Sequence, residues 1–270
     1  MNLYATVAQV KEQANISATT WDAWFLRMLD VACRSIEDWC SRHFYTITGS
    51  KYYDAPGSGG SLSVHDLLTV TSFAVDTDSD WDYTDEAWEA TDYTLLPLNA
   101  WPKIKIIETS LGDYSFGSGQ KEILITGTWG YGDGQSASPW TATGQTATVA
   151  DTTSTSVTMS GTGAVAVYQT ILVGTEQMYV TAVTTAAADV LTVIRGVNGT
   201  TAAIQAAASV STANYPSAVI QTAIELVIEA YNEKAAQGLE SEWFGSYGYR
   251  RMKKTIDYQM TRFIGPYRRY

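Results

Sequence analysis

The helix predicted at residues 215–238 constrains the fold of this chain more than any other stretch. Pro216 suits the first turn of a helix, where its missing N–H removes no hydrogen bond. Gly238 suits the left-handed position just after a helix end. Apolar residues recur between them at helical spacing, with polar residues on the other side, so the segment predicts an amphipathic helix with a wide buried face. The apolar positions are Ile220, Ala223, Ile224, Val227, Ala230 and Tyr231.

A short apolar strand that ends in glycines is the second strong signal. Residues 123–132 read ILITGTWGYG, which predicts a strand that runs into a Gly-rich turn. The strand itself is predicted at residues 122–126, and further strands are predicted at 62–64, 70–75, 93–95 and 103–107. The Gly-rich segments at 57–60 and 127–134 lack the Lys that follows a phosphate-binding loop, so both are interpreted as turns.

Two helices are predicted near the N-terminus. Thr6 and Gln9 match a capping box, which predicts a short helix that reaches about Ala14. A longer helix is predicted to begin at Thr19 or Thr20 and to pack on the helix after Pro216. Its large apolar stripe is more typical of a core than of a ligand platform; the stripe comprises Trp21, Phe25, Met28, Ala32, Ile36 and Trp39 or Cys40.

This set of elements resembles the head-tail adaptor, or connector, proteins of tailed bacteriophages. The resemblance rests on the strand that ends in GTWGYG, the proline-led helix with Ala223, the N-terminal helices, and the segments YTLLP at 93–97 and IGPYR at 264–268. It covers residues 1–136 and 213–270. Residues 137–212 are left over as an extra insertion.

The resemblance implies an α+β fold with a helical core, in which the N-terminal helices pack on a C-terminal helix beside a small antiparallel β region. An inserted all-β domain would occupy residues 137–212, outside a discontinuous core of 1–136 and 213–270. The implied function is that of a structural virion protein, made in the host bacterial cytoplasm, which forms a ring in the neck between portal and tail. The implied partners are the portal protein, a tail-side stopper or tail terminator, and further copies of the chain in a twelvefold ring. Packaged DNA would pass through this channel without specific binding.

Charge and hydropathy exclude several classes of protein. The net charge of -11 argues against a general nucleic-acid binder, because phosphate contacts need Lys and Arg. The sequence has no run of about 18 apolar residues, so no membrane span is predicted. The N-terminus lacks the pattern of a secretory signal. Cys33 and Cys40 would lie roughly 10 Å apart along one helix, too far for a disulfide, so both are predicted to be reduced core residues. His43 and His65 are predicted to be structural.

The stretch at residues 76–92 carries eight acids and no base. Alternating Asp residues could bind calcium, but the Gly and Glu of a helix-loop-helix calcium site are missing, and paired carboxylates could also serve a glycosidase. A solvated acidic loop is the favoured interpretation. We expect it to form part of the acidic surface of the ring and regard it as a candidate for the channel face, where like charge would keep DNA from adhering. Its acids are Asp76, Asp78, Asp80, Asp82, Asp85, Glu86, Glu89 and Asp92.

The inserted segment differs in composition from the rest of the chain. Residues 137–212 contain four charged residues and are rich in Thr, Ala, Ser and Gly. Strands are predicted at 157–159, 177–183 and 190–194, and Asn198 with Gly199 predicts a turn. The runs ILVGTEQMYVTAV and LTVIRGVNGTTAA resemble a small β module that recurs in phage virion proteins, which suggests a surface projection.

The C-terminal segment is basic and aromatic in an otherwise acidic chain. Residues 250–270 hold seven bases and one acid. Such a mixture could stack on single-stranded nucleic acid, or it could supply the hot spots of a protein interface. A docking arm at about residues 245–270, directed at an acidic crevice of the portal, fits the acidity of the chain better. The portal-binding residues predicted are Trp243, Phe244, Arg250, Arg251, Lys253, Lys254, Tyr267, Arg268, Arg269 and Tyr270.

Two other functions compete with the adaptor. The nine Trp and seventeen Tyr suggest a carbohydrate-binding β-rich module, and the acidic stretch suggests a glycosidase. The sequence lacks a G-x-S-x-G elbow, a zinc motif and a Walker loop, so we predict no enzyme, no cofactor and no metal.

Overall fold

A five-stranded antiparallel sheet forms the middle of the chain. The computed structural model describes residues 2–57, 59–78, 80–83, 87–109, 115–235, 241–243, 249–251 and 260–269. Neighbours in the sheet follow the order β1-β5-β2-β4-β3. The strands are β1 (Ile47–Tyr53), β2 (Ser61–Val75), β3 (Tyr93–Leu96), β4 (Lys103–Glu108) and β5 (Ile123–Trp129).

A closed six-stranded barrel follows the sheet along the chain. Its strands are hydrogen-bonded in the order β10-β7-β6-β11-β8-β9, and each neighbouring pair is antiparallel. Trp140 at the start of its first strand pairs with Ala213 at the end of its last, so the chain enters and leaves the barrel side by side. The strands are β6 (Trp140–Val149), β7 (Ser156–Met159), β8 (Thr170–Val173), β9 (Glu176–Thr185), β10 (Asp189–Ile194) and β11 (Gln205–Ala213).

Helices from the two ends of the chain pack together. They are α1 (Val7–Ala14), α2 (Asp22–Cys40) and α3 (Ser217–Ala235), followed by a short β12 (Ser241–Trp243) and β13 (Tyr249–Arg251) hairpin. A π-helical turn at Met260–Ile264 and a 3-10 turn at Gly265–Tyr267 end the described chain. One apolar cluster joins Phe25 and Ile36 of α2, Val219 and Ala223 of α3, and Ile264. The sheet and the barrel have apolar clusters of their own.

The expected α+β fold with a helical core was wrong. The sheet and the barrel together hold eleven strands, and helices account for only 22% of the residues that the structure describes. Strands such as β6 and β11 consist mainly of Thr, Ala, Gln and Ser, so they lack the alternation of large apolar residues that reveals a strand locally. Their pairing is long-range and emerges only in the closed barrel. The predicted division into a discontinuous core and an insert stays a prediction, which an excision experiment tests below.

Local signals located the helices well. The capping box of α1 is confirmed: Gln9 N donates to Thr6 Oγ1 over 3.2 Å, and Thr6 N donates to Gln9 Oε1 over 2.8 Å. The longer helix, α2, begins at Asp22, slightly later than predicted, and no side chain caps it. Cys33 and Cys40 are free and buried, as predicted. The buried positions of α2 are Phe25, Leu29, Ala32, Cys33, Ile36 and Cys40. Met28 and Trp21 of the predicted stripe are only partly buried, and they pack against the edge of the same cluster.

The glycine turn after β5 connects the sheet to the end of α2. Tyr131 N donates to His43 O over 3.0 Å, and Gly132 N donates to Phe44 O over 3.1 Å. Gly130 has φ 129°, and a Cβ there would lie 2.1 Å from Tyr45 O. Only glycine therefore allows the two backbones to approach this closely.

Polar contacts attach the barrel to the N-terminal part of the chain. Asn2 and Asn198 exchange two side-chain hydrogen bonds, of 2.9 and 3.0 Å. Gln177 Nε2 donates to Thr46 Oγ1 over 3.0 Å, and Thr48 N donates to Asn198 O over 2.9 Å. Each of these bonds joins residues more than 100 positions apart, so the barrel docks in a defined orientation.

Candidate docking surfaces

The last described residues of the predicted docking arm lie on their own subunit. Ile264 is fully buried in the helical cluster. The Tyr267 ring contacts the rings of Phe44 and Tyr131 edge-on, at centroid distances of 5.9 and 5.4 Å. The Arg268 guanidinium lies 5.3 Å from the centre of the Trp39 ring. The segment 260–269 is therefore ordered by the chain's own core, before any partner binds.

A buried ion cluster fixes the end of this segment to the sheet. Asp66 of β2 has a side chain only 5% exposed, and its oxygens lie 3.5 Å from Arg42 Nε and 3.8 Å from Arg269 Nη1. Arg269 also donates from Nη2 to Val64 O over 2.6 Å, and from its backbone N to Cys40 O over 2.9 Å. Burial raises the pKa of Asp66, and the two arginines oppose that shift. Arg269 therefore uses its charge inside the subunit.

The other predicted portal-binding residues are described unevenly. Trp243, Arg250 and Arg251 belong to the β12–β13 hairpin, in which Trp243 pairs with Tyr249 and Ser241 with Arg251. Arg268 is exposed, and Tyr267 is half-buried. Phe244, Lys253, Lys254 and Tyr270 lie outside the described residues. The structure thus brings together Tyr267, Arg268 and Arg269, and places the hairpin residues on a separate element.

The acidic stretch forms a compact loop after β2. Asp76 is buried, and its Oδ2 accepts a hydrogen bond of 2.9 Å from Trp81 N. Asp78 Oδ1 accepts from Asp80 N, and Asp80 Oδ1 accepts from Asp82 N over 2.7 Å, so the alternating Asp residues make successive side-chain turns. One oxygen each of Asp76, Asp78 and Asp80 lies within 4.8 Å of the others. This local bonding accounts for the alternation of Asp residues.

The remaining acids of the stretch precede β3. Asp92 Oδ2 accepts a hydrogen bond of 2.7 Å from Glu89 N, and Glu89 is exposed. Asp85 and Glu86 lie outside the described residues. Asp78, Asp80, Asp82 and Glu89 are exposed and Asp92 is half-buried. The assignment of Asp76 to the acidic surface was wrong, because its side chain turns inward to accept the hydrogen bond from Trp81 N.

Sequence reasoning missed two groups of residues. One is the Arg42, Asp66 and Arg269 cluster, whose members lie far apart in the chain. The other is an exposed aromatic group in which Lys121 Nζ lies 4.5 Å from the centre of the Tyr52 ring and 5.1 Å from that of Trp81. Trp81 stands out in the sequence because it is a tryptophan among acidic residues. Nothing in the sequence indicates that Tyr52 of β1 and Lys121, which precedes β5, lie beside it.

The two histidines differ in environment. His43 packs on Tyr45 at a ring-centroid distance of 4.9 Å, and its Nε2 is buried without a hydrogen-bond partner among the described atoms. Burial, together with Lys51, His65 and Arg34, lowers the pKa of His43 to about 4. His65 is exposed, and its Nδ1 lies 2.8 Å from the Tyr53 hydroxyl oxygen. His43 is therefore held neutral inside the fold at neutral pH.

Comparisons with known protein families, with curated proteins and with solved structures found no match for this chain. Within the described part of the chain, no helix combines the length and the apolar character that a membrane crossing requires.

Proposed function

We propose that this chain is a structural virion protein, a ring-forming head-tail adaptor between the portal and the tail of a bacteriophage. One observation carries the proposal. The regions that resemble adaptors come from both ends of the chain, and α1, α2, α3 and Ile264 share one apolar core. The region outside the resemblance folds instead into the closed barrel between β5 and α3. An adaptor that carries an additional domain would have this arrangement.

The C-terminal segment is the proposed portal-binding surface, with a change in the roles of its arginines. Arg268 and Arg262 are exposed and can contact an acidic partner. Arg269 pairs with Asp66 and supports the segment from inside. Surface charges mainly accelerate association, whereas a buried charge left without its partner destabilises the fold. We therefore assign contact to Arg268 and support to Arg269.

The acidic loop supplies the proposed repulsion of DNA. Asp78, Asp80 and Asp82 are exposed on it, and the whole chain has a net charge of -11. DNA gains affinity for a protein when Lys and Arg neutralise its phosphates and release the condensed counterions into solution, and a surface of carboxylates offers no such exchange. A ring lined in this way would let the genome slide through.

The carbohydrate-binding alternative has one observation in its favour. Tyr52 and Trp81 are 51% and 64% exposed, and aromatic rings of this kind can stack on sugars. Lys121 already lies over both rings, so a sugar would have to displace an ammonium from them. We therefore prefer the adaptor.

The test measures size and attachment with the full chain. We expect light scattering or electron microscopy to show a ring, or a monomer that forms a ring on isolated portal rings. The variant Arg262→Glu/Arg268→Glu should attach to portal rings at least about tenfold more weakly, because two surface charges are reversed. Arg269→Glu is unsuitable, since it would place a second carboxylate beside Asp66.

The control is Arg27→Glu/Lys105→Glu, which makes the same change in net charge at exposed positions elsewhere. It should fold and attach like the parent. Equal attachment by both variants would show that the C-terminal segment is not the anchor. A parent chain that stays monomeric with portal rings and binds glycans instead would refute the adaptor itself.

A further inference from the structure

Aromatic rings and an ammonium form an exposed patch where β1 meets the acidic loop. The Lys121 ammonium lies near the rings of Tyr52 and Trp81, at 4.5 and 5.1 Å from their centres. The Tyr83 ring lies 5.7 Å from that of Tyr52, and its hydroxyl donates to Lys121 O. We call these four residues the Trp81 patch.

Hydrogen bonds hold the patch in this arrangement. Lys121 N donates to Asp54 Oδ1 over 2.8 Å, and Trp81 N donates to Asp76 Oδ2 over 2.9 Å. Both Lys121 and Trp81 have left-handed backbones, with φ of 56° and 65°. A residue with a Cβ adopts this conformation at a cost, which these bonds offset. The aromatic faces are therefore positioned around an ammonium by the fold itself.

The local charge favours a second cation. Asp80 and Asp82 flank Trp81 in the chain, Asp54 holds Lys121, and all three carboxylates are exposed. The Lys121 ammonium is therefore outnumbered by the carboxylates of Asp54, Asp80 and Asp82. Tyr52 and Trp81 remain more than half exposed, so an incoming ammonium or guanidinium can compete with Lys121 for an aromatic face while it binds a carboxylate.

We propose that the Trp81 patch binds the basic stretch RRMKK, residues 250–254, of a second copy of this chain. This stretch holds four bases in five residues, the densest positive charge in a chain of net charge -11. Among the described strands, β13 pairs with β12 in a sheet of their own, separate from the sheet that contains β1. We assign the occupant to another subunit, and the charge swap between two variants distinguishes this from a contact within one chain. The inference rests on the proposed ring only in that copies of the chain must meet.

The primary experiment uses the full chain and a synthetic peptide of residues 249–255, YRRMKKT, with binding measured by calorimetry at low salt. Trp81→Ala should weaken binding by about 3- to 10-fold, the range expected for loss of one cation–π contact. Asp80→Lys/Asp82→Lys should weaken it by at least about 10-fold. Lys121→Asn should strengthen it roughly 3-fold, because it removes the resident cation and Asn tolerates the left-handed backbone.

The matched control is Glu12→Lys/Glu233→Lys, which changes net charge equally at exposed positions of α1 and α3. It should bind the peptide nearly as the parent does. The proposal is overturned if the parent does not bind the peptide, if Trp81→Ala binds it unchanged, or if the control loses as much affinity as the patch variant.

A charge swap then tests the contact between whole subunits. Sedimentation should show that Arg250→Glu/Arg251→Glu and Asp80→Lys/Asp82→Lys each weaken self-association, and that mixing the two variants restores it. A mixture that associates no better than either variant alone would overturn the contact. Failure of the adaptor proposal is distinguishable, because it would appear as loss of portal attachment while the peptide still binds the patch.

Discussion

Gly199 lies where the barrel meets β1, and the close approach at this point depends on its missing side chain. It has φ +79°, and a Cβ would lie 2.0 Å from Thr48 O. We expect Gly199→Ala to cost about 1–2 kcal/mol more unfolding free energy than Gly144→Ala, because the second site has a similar φ of +75° but open space. Urea denaturation of the two variants measures the difference. Equal losses would mean that the backbones can separate without cost.

His43 should make stability depend on pH. Its pKa is lowered to about 4, so between pH about 6.5 and 4 the unfolded chain binds more protons than the folded one. The neutral ring's contribution is complete above about pH 6.5 and is lost as the pH falls, up to about 3 kcal/mol in total. Denaturation at several pH values should show this loss in the parent and a much smaller loss in His43→Gln. The variant His65→Gln should keep most of this loss of stability at low pH. If stability is equally independent of pH in His65→Gln, the effect does not come from His43 alone, and the prediction is wrong.

Residue-level features were predictable where their partners are close in sequence. Thr6 and Gln9 are three residues apart, and the capping box followed directly from the sequence. The free, buried state of Cys33 and Cys40 followed from helix geometry. Asp66 gave no such signal, because its partners Arg42 and Arg269 reach it only through the folded sheet and the C-terminal turn.

At the scale of elements, the barrel should be removable. Trp140 pairs with Ala213, so a short Gly/Ser linker can replace the residues between them without moving β5 or α3. We expect a core that still melts cooperatively but loses a few kcal/mol, since hydrogen bonds such as Gln177 to Thr46 contribute about 1 kcal/mol each. Calorimetry provides the measurement. A broad, non-cooperative transition would show that the rest of the chain needs the barrel to fold.

Strands with large apolar side chains were predicted and small-residue strands were not. β3, β4 and β5 were located within a few residues of their ends, and two predicted segments merged into the long β2. β1, with the sequence ITGSKYY, was missed because Gly and Ser interrupt its alternation. β11, with the sequence QAAASVSTA, was missed because its residues are small and its partners β6 and β8 lie far away in the chain.

At the scale of the whole molecule, acidity should exclude duplex DNA. We expect the purified chain to leave a short duplex unretarded at about 0.1 M salt, because its carboxylates release no counterions from phosphates. Asp78→Lys/Asp80→Lys/Asp82→Lys should bind weakly, with affinity that falls as salt rises. Gel retardation across a salt series measures both. Tight, salt-sensitive binding by the parent would contradict the proposed channel surface.

The overall architecture shows why a resemblance in element order did not predict the fold class. The helices that carry the resemblance do share one core, but they make up a minor part of the chain. The sheet and the barrel are built from contacts between distant segments, such as Ile47 with Trp129 in the sheet and Trp140 with Ala213 in the barrel. Such contacts leave little trace in any local window of sequence.

The paired ends of the barrel also define a grafting position. Antiparallel neighbours lie about 5 Å apart, so a foreign domain with similarly spaced termini could replace the barrel between Trp140 and Ala213 without straining α3. In an assembly of many copies, each graft would be repeated at equal intervals. A domain with weak affinity for a surface would then bind it through several copies at once, and its avidity could rise by about 10²- to 10⁴-fold without any new contact.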